Sequence, residues 1–365
     1  MEEATYVIAA GGTGGHIFPG IALAREILAR RPEARVVFVG ASAGLETRLL
    51  PAAGFAVETV SASGFAGKRL GARMASLAAV PRGVAQARRL LRRLRPRAVA
   101  GVGGYASVPV VLAAASLGIP TLVHESNARP GIANRLLARF ATRVAVGSEA
   151  AAARLPGRPV VTGNPLRPEF LEPSSSSDAA RAGTARRVLL LGGSQGSAAL
   201  NRAMTEAARA LGADGLEVLH QTGEKWLEPV RAAYGGLPAG WRLEAFLPRP
   251  FDAMAWCDLA VCRSGALTLA ELSAAGRPAV LVPLATSTHG HQLENAREVE
   301  RAGAAVVLQE KDLTGDSLAA AIRALLADPA RLRGMGAAAL RRARPSAARE
   351  LAEILFSIER ARAAA

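Results

Sequence analysis

"VIAAGGTGGHIFPG", residues 7–20, carries an apolar strand into a helical pattern through Gly11, Gly12, Gly14, Gly15 and His16. A glycine-rich turn of this kind exposes backbone N–H groups at a helix N-terminus, where an anion is favoured. Pro19, near the first turn of the following helix, fits that geometry. Two common nucleotide fingerprints do not fit. Gly12-Thr13-Gly14 supplies the first two glycines of G-x-G-x-x-G, but Ile17 takes the third place, and the strand at 36–40 ends in Gly40 without a ribose-binding carboxylate. A Walker loop is excluded because Arg69 follows Gly67-Lys68 and no glycine stands five residues before Gly67.

Outward from this turn, short apolar runs alternate with helical patterns. The first half offers strands at 6–10, 36–40, 98–102, 121–125 and 143–147, with helices at 20–30, 84–95 and 108–117 between them. Unbroken apolar runs suit strands buried on both faces, the mark of a doubly wound parallel sheet. Residues 164–186, with three prolines and the Ser174–Ser177 run, read as a linker and surface loop. The alternation then restarts, with strands at 187–193, 216–222, 241–246, 259–263, 279–283 and 304–308 and helices at 198–211, 267–275 and 292–302. "VLLLGGSQGS" opens this half as "VIAAGGTGGH" opens the first. The expectation is two similar α/β domains in tandem, with ligands in a cleft between their strand C-terminal edges.

Composition narrows the class. A chain of 365 residues, half of them apolar, fills two ordinary domains. No apolar run reaches the ~18 residues of a membrane span, and the acidic Met1-Glu2-Glu3 start is unlike a signal peptide, so an intracellular protein is expected. Cys257 and Cys262 flank "DLAV" and read as small core residues. "HGH" at 289–291 has no third metal ligand nearby. Net charge is +15 and unevenly spread: no acidic residue lies between Glu58 and Glu125, where Lys68, Arg69, Arg73 and seven further arginines stand. A field of one sign implies an anionic partner such as nucleic acid, phospholipid or a phosphorylated substrate.

A third glycine turn, "VGGYAS" at 102–107, also precedes a helix. Three such turns suggest two phosphate-bearing ligands; tight turns that need positive φ are the alternative. His16, beside mobile glycines, has a side chain whose ordinary pKa suits proton transfer at neutral pH. In "RSGALTLAE", Glu271 either completes a capping box with Thr268 or accepts ribose hydroxyls. The nearby Gln292 and Asn295 of "HQLEN", able to offer amides to sugar hydroxyls, favour the ribose.

Taken in order, "GGTGGHIFPG", "GGYASVPVVLAA", "HESNARPGIANRLLA", "TGNPLRPEF", "LLGGSQGSAALN", "RSGALTLAELSAAGRPAVLVP" and "GHQLENA" resemble the MurG family of peptidoglycan glycosyltransferases over essentially the whole chain. The resemblance implies a GT-B fold, two Rossmann-like doubly wound parallel-sheet domains facing across a cleft. It implies no cofactor and no catalytic metal. The reaction would be inverting transfer of N-acetylglucosamine from UDP-N-acetylglucosamine to the C4 hydroxyl of the muramyl sugar of undecaprenyl-linked lipid I, giving lipid II.

Residues 1–163 would form the acceptor and membrane-facing domain, 164–345 the donor domain, and 346–365 a helix packing back on the first. The implied donor contacts are Thr13, Gly14, Asn127, Arg167 near the uracil, Ser194 on a phosphate, the first-turn residues Ala266, Leu267 and Thr268, Glu271 on the ribose, and His291 and Gln292 on the sugar. Some members carry glutamine where His291 stands. Gly12, Gly14, Gly15, Gly104 and Tyr105 would cradle the acceptor diphosphate. His16 or Glu125 would be the base, Glu125 having a buried structural role as its alternative.

The membrane-facing set is Phe65, Lys68, Arg69, Leu70, Arg73 and Met74. An apolar face beside cations suits an anionic membrane surface. The stripe Val84, Ala87, Leu91, Leu94 reads instead as a core face. The implied location is peripheral, on the cytoplasmic side of the cell membrane, with other cell-wall proteins as candidate partners. A UDP-N-acetylglucosamine 2-epimerase is the rival enzyme. A basic nucleic-acid-binding protein is the rival of another class, disfavoured by an aromatic content of 4% and the lack of a nucleic-acid motif.

Overall fold

A computed structural model describes residues 4–42, 44–62, 70–171, 187–193, 195–287 and 290–363, with the backbone alone for 70–79 and 363. The chain forms two compact units, Met1–Pro168 with Arg344–Ala365, and Glu169–Ala343.

The first unit is built on a seven-stranded parallel sheet in the order β3-β2-β1-β4-β5-β6-β7. Its strands are β1 (Thr5–Ala9), β2 (Arg35–Ala41), β3 (Ala56–Val60), β4 (Ala98–Gly101), β5 (Thr121–Glu125), β6 (Arg143–Val146) and β7 (Val160–Val161). Successive side chains leave a strand on opposite faces. Tyr6 and Ile8 therefore pack with Ile17, Ile21 and Ile27 of α1 (Gly14–Arg30) and with Leu351 and Leu355 of α14 (Ala347–Ala363). Val7 and Ala9 pack on the other face with Leu90 and Leu91 of α3 (Leu70–Leu94) and Val110 and Ala113 of α4 (Ser107–Ser116). Burial on both faces is why β1 reads as an unbroken apolar run.

The C-terminal helix is fastened to this unit by polar contacts as well. Tyr6 donates to Glu359 at 2.6 Å, and Arg31 pairs with the same carboxylate at 2.7 Å.

The second unit carries a six-stranded parallel sheet, β10-β9-β8-β11-β12-β13. The strands are β8 (Arg187–Leu191), β9 (Glu217–Gln221), β10 (Trp241–Glu244), β11 (Leu259–Cys262), β12 (Ala279–Leu281) and β13 (Ala305–Val307). Val188, Leu190 and Val261 pack against Leu200 and Met204 of α7 (Ala198–Gly212) and Leu318 and Ile322 of α12 (Gly315–Leu326). Cys257 and Cys262 are buried free thiols, and burial pushes the Cys262 thiol up to about 12.

Both sheets reverse strand order beside their first strand, at β1/β4 and at β8/β11. The loops leaving those strands diverge there, which opens room at the carboxyl edge. The glycine turns lie at these points.

Two readings of the sequence are corrected. The first sheet has β3 and β7 in addition to the five expected strands. On β3 only Val60 is buried, and β7 has two residues, so neither carries the apolar run of a central strand. The start of the expected surface loop is packed: Asn164 and Leu166 are buried, and Asn164 donates to the Ser126 carbonyl at 3.2 Å. Residues 172–186 lie outside the described residues. The stripe Val84, Ala87, Leu91, Leu94 does face the core.

Candidate active site

In the first unit, α1 begins at Gly14, with His16 in its first turn. The imidazole Nδ1 lies 3.2 Å from the carbonyl oxygen of Gly11 and 3.4 Å from Thr13 Oγ1. A carbonyl can only accept, so this contact requires a proton on Nδ1, and in a neutral ring that tautomer has its lone pair on Nε2. The loop after β4 closes against this group. A Cβ at Gly103 would fall 2.4 Å from His16 Cδ2, and one at Gly104 would fall 2.2 Å from the Gly11 oxygen. Both glycines also have positive φ, so larger residues are barred twice over. Tyr105 stands exposed beside Gly12. Gly12, Gly14, Gly15, Gly104, Tyr105, Thr13 and His16 are thus gathered at one switch point.

Gly12 differs from the expectation in one respect. Its N–H donates to Glu46 Oε2 at 3.0 Å. It therefore serves the loop, and the first-turn N–H groups of Gly14 and Gly15, which have no intrahelical acceptor, remain the ones suited to an anion. No side chain caps α1 at Thr13.

Glu46 was not singled out by the sequence. It opens α2 (Glu46–Ala52), is fully buried, and also accepts the Ala41 N–H at 2.8 Å. A Cβ at Gly11, Gly40 or Gly44 would fall within 2.0–2.4 Å of its side chain. None of these three glycines has positive φ, so what each supplies is room for a carboxylate.

Glu125 ends β5, is buried, and accepts four hydrogen bonds. Asn127 N (2.8 Å) and Nδ2 (3.0 Å) reach Oε1, while Gly131 N (3.0 Å) and Asn134 Nδ2 (2.9 Å) reach Oε2. A carboxylate so filled organises the loop 126–134, and Asn127 is bound into that loop. Next to it, His124 is buried with Nε2 on the Gly163 carbonyl at 3.0 Å. Burial holds its imidazole below the ordinary histidine range. Arg167 belongs to the first unit, its guanidinium 5.0 Å from the centroid of the Phe18 ring.

In the second unit, α10 (Ala266–Ala274) follows β11, and its N-cap is Gly265 with no side-chain cap. Ala266, Leu267 and Thr268 are the first three helical residues, whose N–H groups have no intrahelical acceptor. Thr268 is therefore not the cap, and the capping-box reading of Glu271 falls. Glu271 is buried one turn further on. Gln292, on α11 (His291–Arg301), accepts the Leu284 N–H at 3.0 Å through Oε1, which leaves its amide nitrogen as the group to offer a sugar. Ser264 Oγ donates to the Gln292 carbonyl at 2.8 Å, and Asn295 donates to the Ser264 carbonyl at 3.1 Å. These two bonds tie the start of α11 to that of α10. His291 is the first residue of α11.

Ser194, His289 and the expected membrane residues Phe65, Lys68 and Arg69 lie outside the described residues. Leu70, Arg73 and Met74 lie on α3, where only the backbone is described.

Comparison with known proteins bears on this arrangement. Residues 6–146 match the glycosyltransferase family 28 N-terminal domain and 187–351 the family 28 C-terminal domain. A Geobacter sulfurreducens protein named UDP-N-acetylglucosamine–N-acetylmuramyl-(pentapeptide) pyrophosphoryl-undecaprenol N-acetylglucosamine transferase is 43% identical over 358 residues, 97% of this chain and 98% of its own length. A Halorhodospira halophila protein of the same name is 47% identical over 362 residues, with coverage of 97% and 98%. The crystal structure of Acinetobacter baumannii MurG is similar at a TM-score of 0.80, with 30% identity and coverage of 97% and 99%. A Listeria monocytogenes structure described only as a candidate UDP-N-acetylglucosamine 2-epimerase shares the fold at a TM-score of 0.68 and 16% identity, covering 96% of this chain and 95% of that one. Two parallel-sheet units with glycine turns at their switch points, together with these likenesses, define a glycosyltransferase of the GT-B fold. The chain belongs to the MurG family within glycosyltransferase family 28.

Proposed function

We propose that this protein transfers N-acetylglucosamine from UDP-N-acetylglucosamine to the C4 hydroxyl of the muramyl sugar of an undecaprenyl-diphosphate-linked acceptor, with inversion at the anomeric carbon. His16 Nε2 takes the hydroxyl proton as the acceptor oxygen bonds to the anomeric carbon. The bond from that carbon to the diphosphate breaks, and UDP leaves with the electron pair. The start of α10, which has no side-chain cap, offers first-turn N–H groups such as those of Leu267 and Thr268 and the positive end of a helix dipole to the departing charge. Glu271 accepts ribose hydroxyls and Gln292 donates its amide to the sugar. Glu125, filled by four donors, holds the acceptor-side loop.

The observation that carries the base assignment is the contact of His16 Nδ1 with the Gly11 carbonyl, which supports the tautomer with its lone pair on Nε2. The direct test is transfer of labelled sugar to a lipid I analogue. An epimerase would act on the donor alone, so conversion of UDP-N-acetylglucosamine without acceptor would favour that rival.

The site of action is proposed to be the cytoplasmic membrane surface, with the protein bound peripherally. Among the described residues no helix is long and apolar enough to cross a membrane. A basic, apolar surface supports the reading. Ile132 and Leu136 of α5 (Ile132–Leu137), and Phe140 after it, are exposed at helical spacing beside Arg135 and Arg139. Binding to anionic vesicles that weakens with salt, and no binding to neutral ones, is the expected result.

A further inference from the structure

Glu46 and His16 touch opposite ends of one peptide group. The unit joining Gly11 to Gly12 donates its N–H to Glu46 Oε2 at 3.0 Å and presents its C=O to His16 Nδ1 at 3.2 Å. In a trans peptide these two bonds point in opposite directions. A carboxylate on the N–H polarises the amide and strengthens its carbonyl as an acceptor, because linked hydrogen bonds reinforce one another.

We propose that Glu46 is a positioning residue for His16, acting through the Gly11–Gly12 peptide to fix the Nδ1–H tautomer and the ring's orientation. The proposal rests on the reading of His16 as the base.

Three features separate this from an ordinary buried acid. The carboxylate has no exposure to water and is held by two backbone N–H groups, from Gly12 and Ala41. Gly11, Gly40 and Gly44 clear the space it fills. The Gly11 carbonyl is also confined from the far side by Gly104, so turning the peptide would break both contacts together. Glu46 touches no reacting atom; it sets the direction of the group that does.

The test uses the full chain with ¹⁵N-labelled histidine. Imidazole ¹⁵N shifts, assigned by loss of one set in His16→Gln, report the tautomer. The wild-type protein is expected to show His16 as the Nδ1–H form; an Nε2–H form would overturn the proposal without any Glu46 variant. Glu46→Gln keeps the volume but turns an N–H₂ group toward a backbone N–H. It is expected to mix the two tautomers, to lower kcat by ~10–100-fold, part of the ~10²–10⁴ that a general base contributes, and to leave KM for UDP-N-acetylglucosamine unchanged. An unchanged tautomer in a folded Glu46→Gln protein would overturn the proposal. If Glu46→Gln does not fold, Glu46→Asp, too short to reach both N–H groups, takes its place with the same expectations. Should His16→Ala keep near-normal kcat, the base assignment fails, while the tautomer still decides whether Glu46 acts on His16.

Discussion

After β1 the chain runs Gly11-Gly12-Thr13-Gly14-Gly15-His16; after β8 it runs Gly192-Gly193-Ser194-Gln195-Gly196-Ser197. Both turns sit where their sheets reverse strand order. In the first, a glycine N–H meets a buried carboxylate and a glycine carbonyl meets an imidazole. In the second, the Gly192 N–H meets the Gln221 carbonyl, and the Gly193 carbonyl accepts from the Gln221 amide at 3.1 Å. Ser197 caps α7 by accepting from Leu200 N, whereas no side chain caps α1. Among the described residues, Gly192 and Gly193 meet neutral partners and Gly196 is pressed on its neighbour: a Cβ there would fall 2.1 Å from the Thr222 carbonyl oxygen. One sequence pattern thus serves two ends. The first turn holds the imidazole of His16, and in the second unit the helix start without a side-chain cap is that of α10.

The largest effect should come from His16→Ala. Loss of a general base is expected to lower kcat by ~10²–10⁴ with little change in donor affinity. Steady-state transfer kinetics with UDP titration check this, and near-normal turnover would erase the functional contrast between the turns.

The buried histidines offer a second contrast, in stability. His220, behind the second turn, bonds Asn201 Oδ1 at 3.0 Å and the Tyr234 hydroxyl at 2.8 Å, and burial lowers its pKa to about 3. The unfolded chain takes up this proton below about pH 6.5, while the folded chain does so only near 3. Stability from this group is therefore complete above about 6.5 and falls as pH drops, by on the order of 3 kcal/mol at about pH 4. Denaturant unfolding of His220→Gln should show a shallower acid loss than wild type. Parallel acid profiles would mean that His220 is not held neutral.

Glu271→Ala is expected to weaken UDP binding by roughly 1.5–3 kcal/mol, the worth of charge-assisted hydrogen bonds to ribose, with the fold retained. Calorimetric titration reads it. A drop in melting temperature with unchanged UDP affinity would make Glu271 a structural acid.

These residues differ in how far the sequence reveals them. Central strands such as β1 and β8 are legible because burial on both faces demands an apolar run, and a run shows without any partner. Glu271 and Gln292 could be singled out as candidates because their motifs lie close in the chain. Glu46 is not, since Gly11, Gly40 and Gly44 cradle it from three separate places; a lone acid at a helix start ordinarily reads as solvated. Glycines at 40 and 44 that need no positive φ were the signal available. The role of Glu125 was open for the same reason: its donors at Asn127, Gly131 and Asn134 converge only when loop 126–134 folds back on β5.

The smallest effect is the cleanest separation of the two helix starts. Ser197 accepts from Leu200 N at 3.3 Å and is buried, so Ser197→Ala leaves a donor of α7 without its cap. Such a loss costs ~1 kcal/mol. Thr13 occupies the corresponding N-cap of α1, yet its hydroxyl lies beside His16 Nδ1 and caps no backbone N–H. Thr13→Ala should then change stability by less than about 0.5 kcal/mol. If Thr13 touches a phosphate, it should instead raise the KM of a substrate. Paired denaturant curves and kinetics on the two alanine variants give the answer: stability lost at 197 and substrate affinity lost at 13. Equal destabilisation would mean that α1 is capped after all, and that the first turn is built like the second.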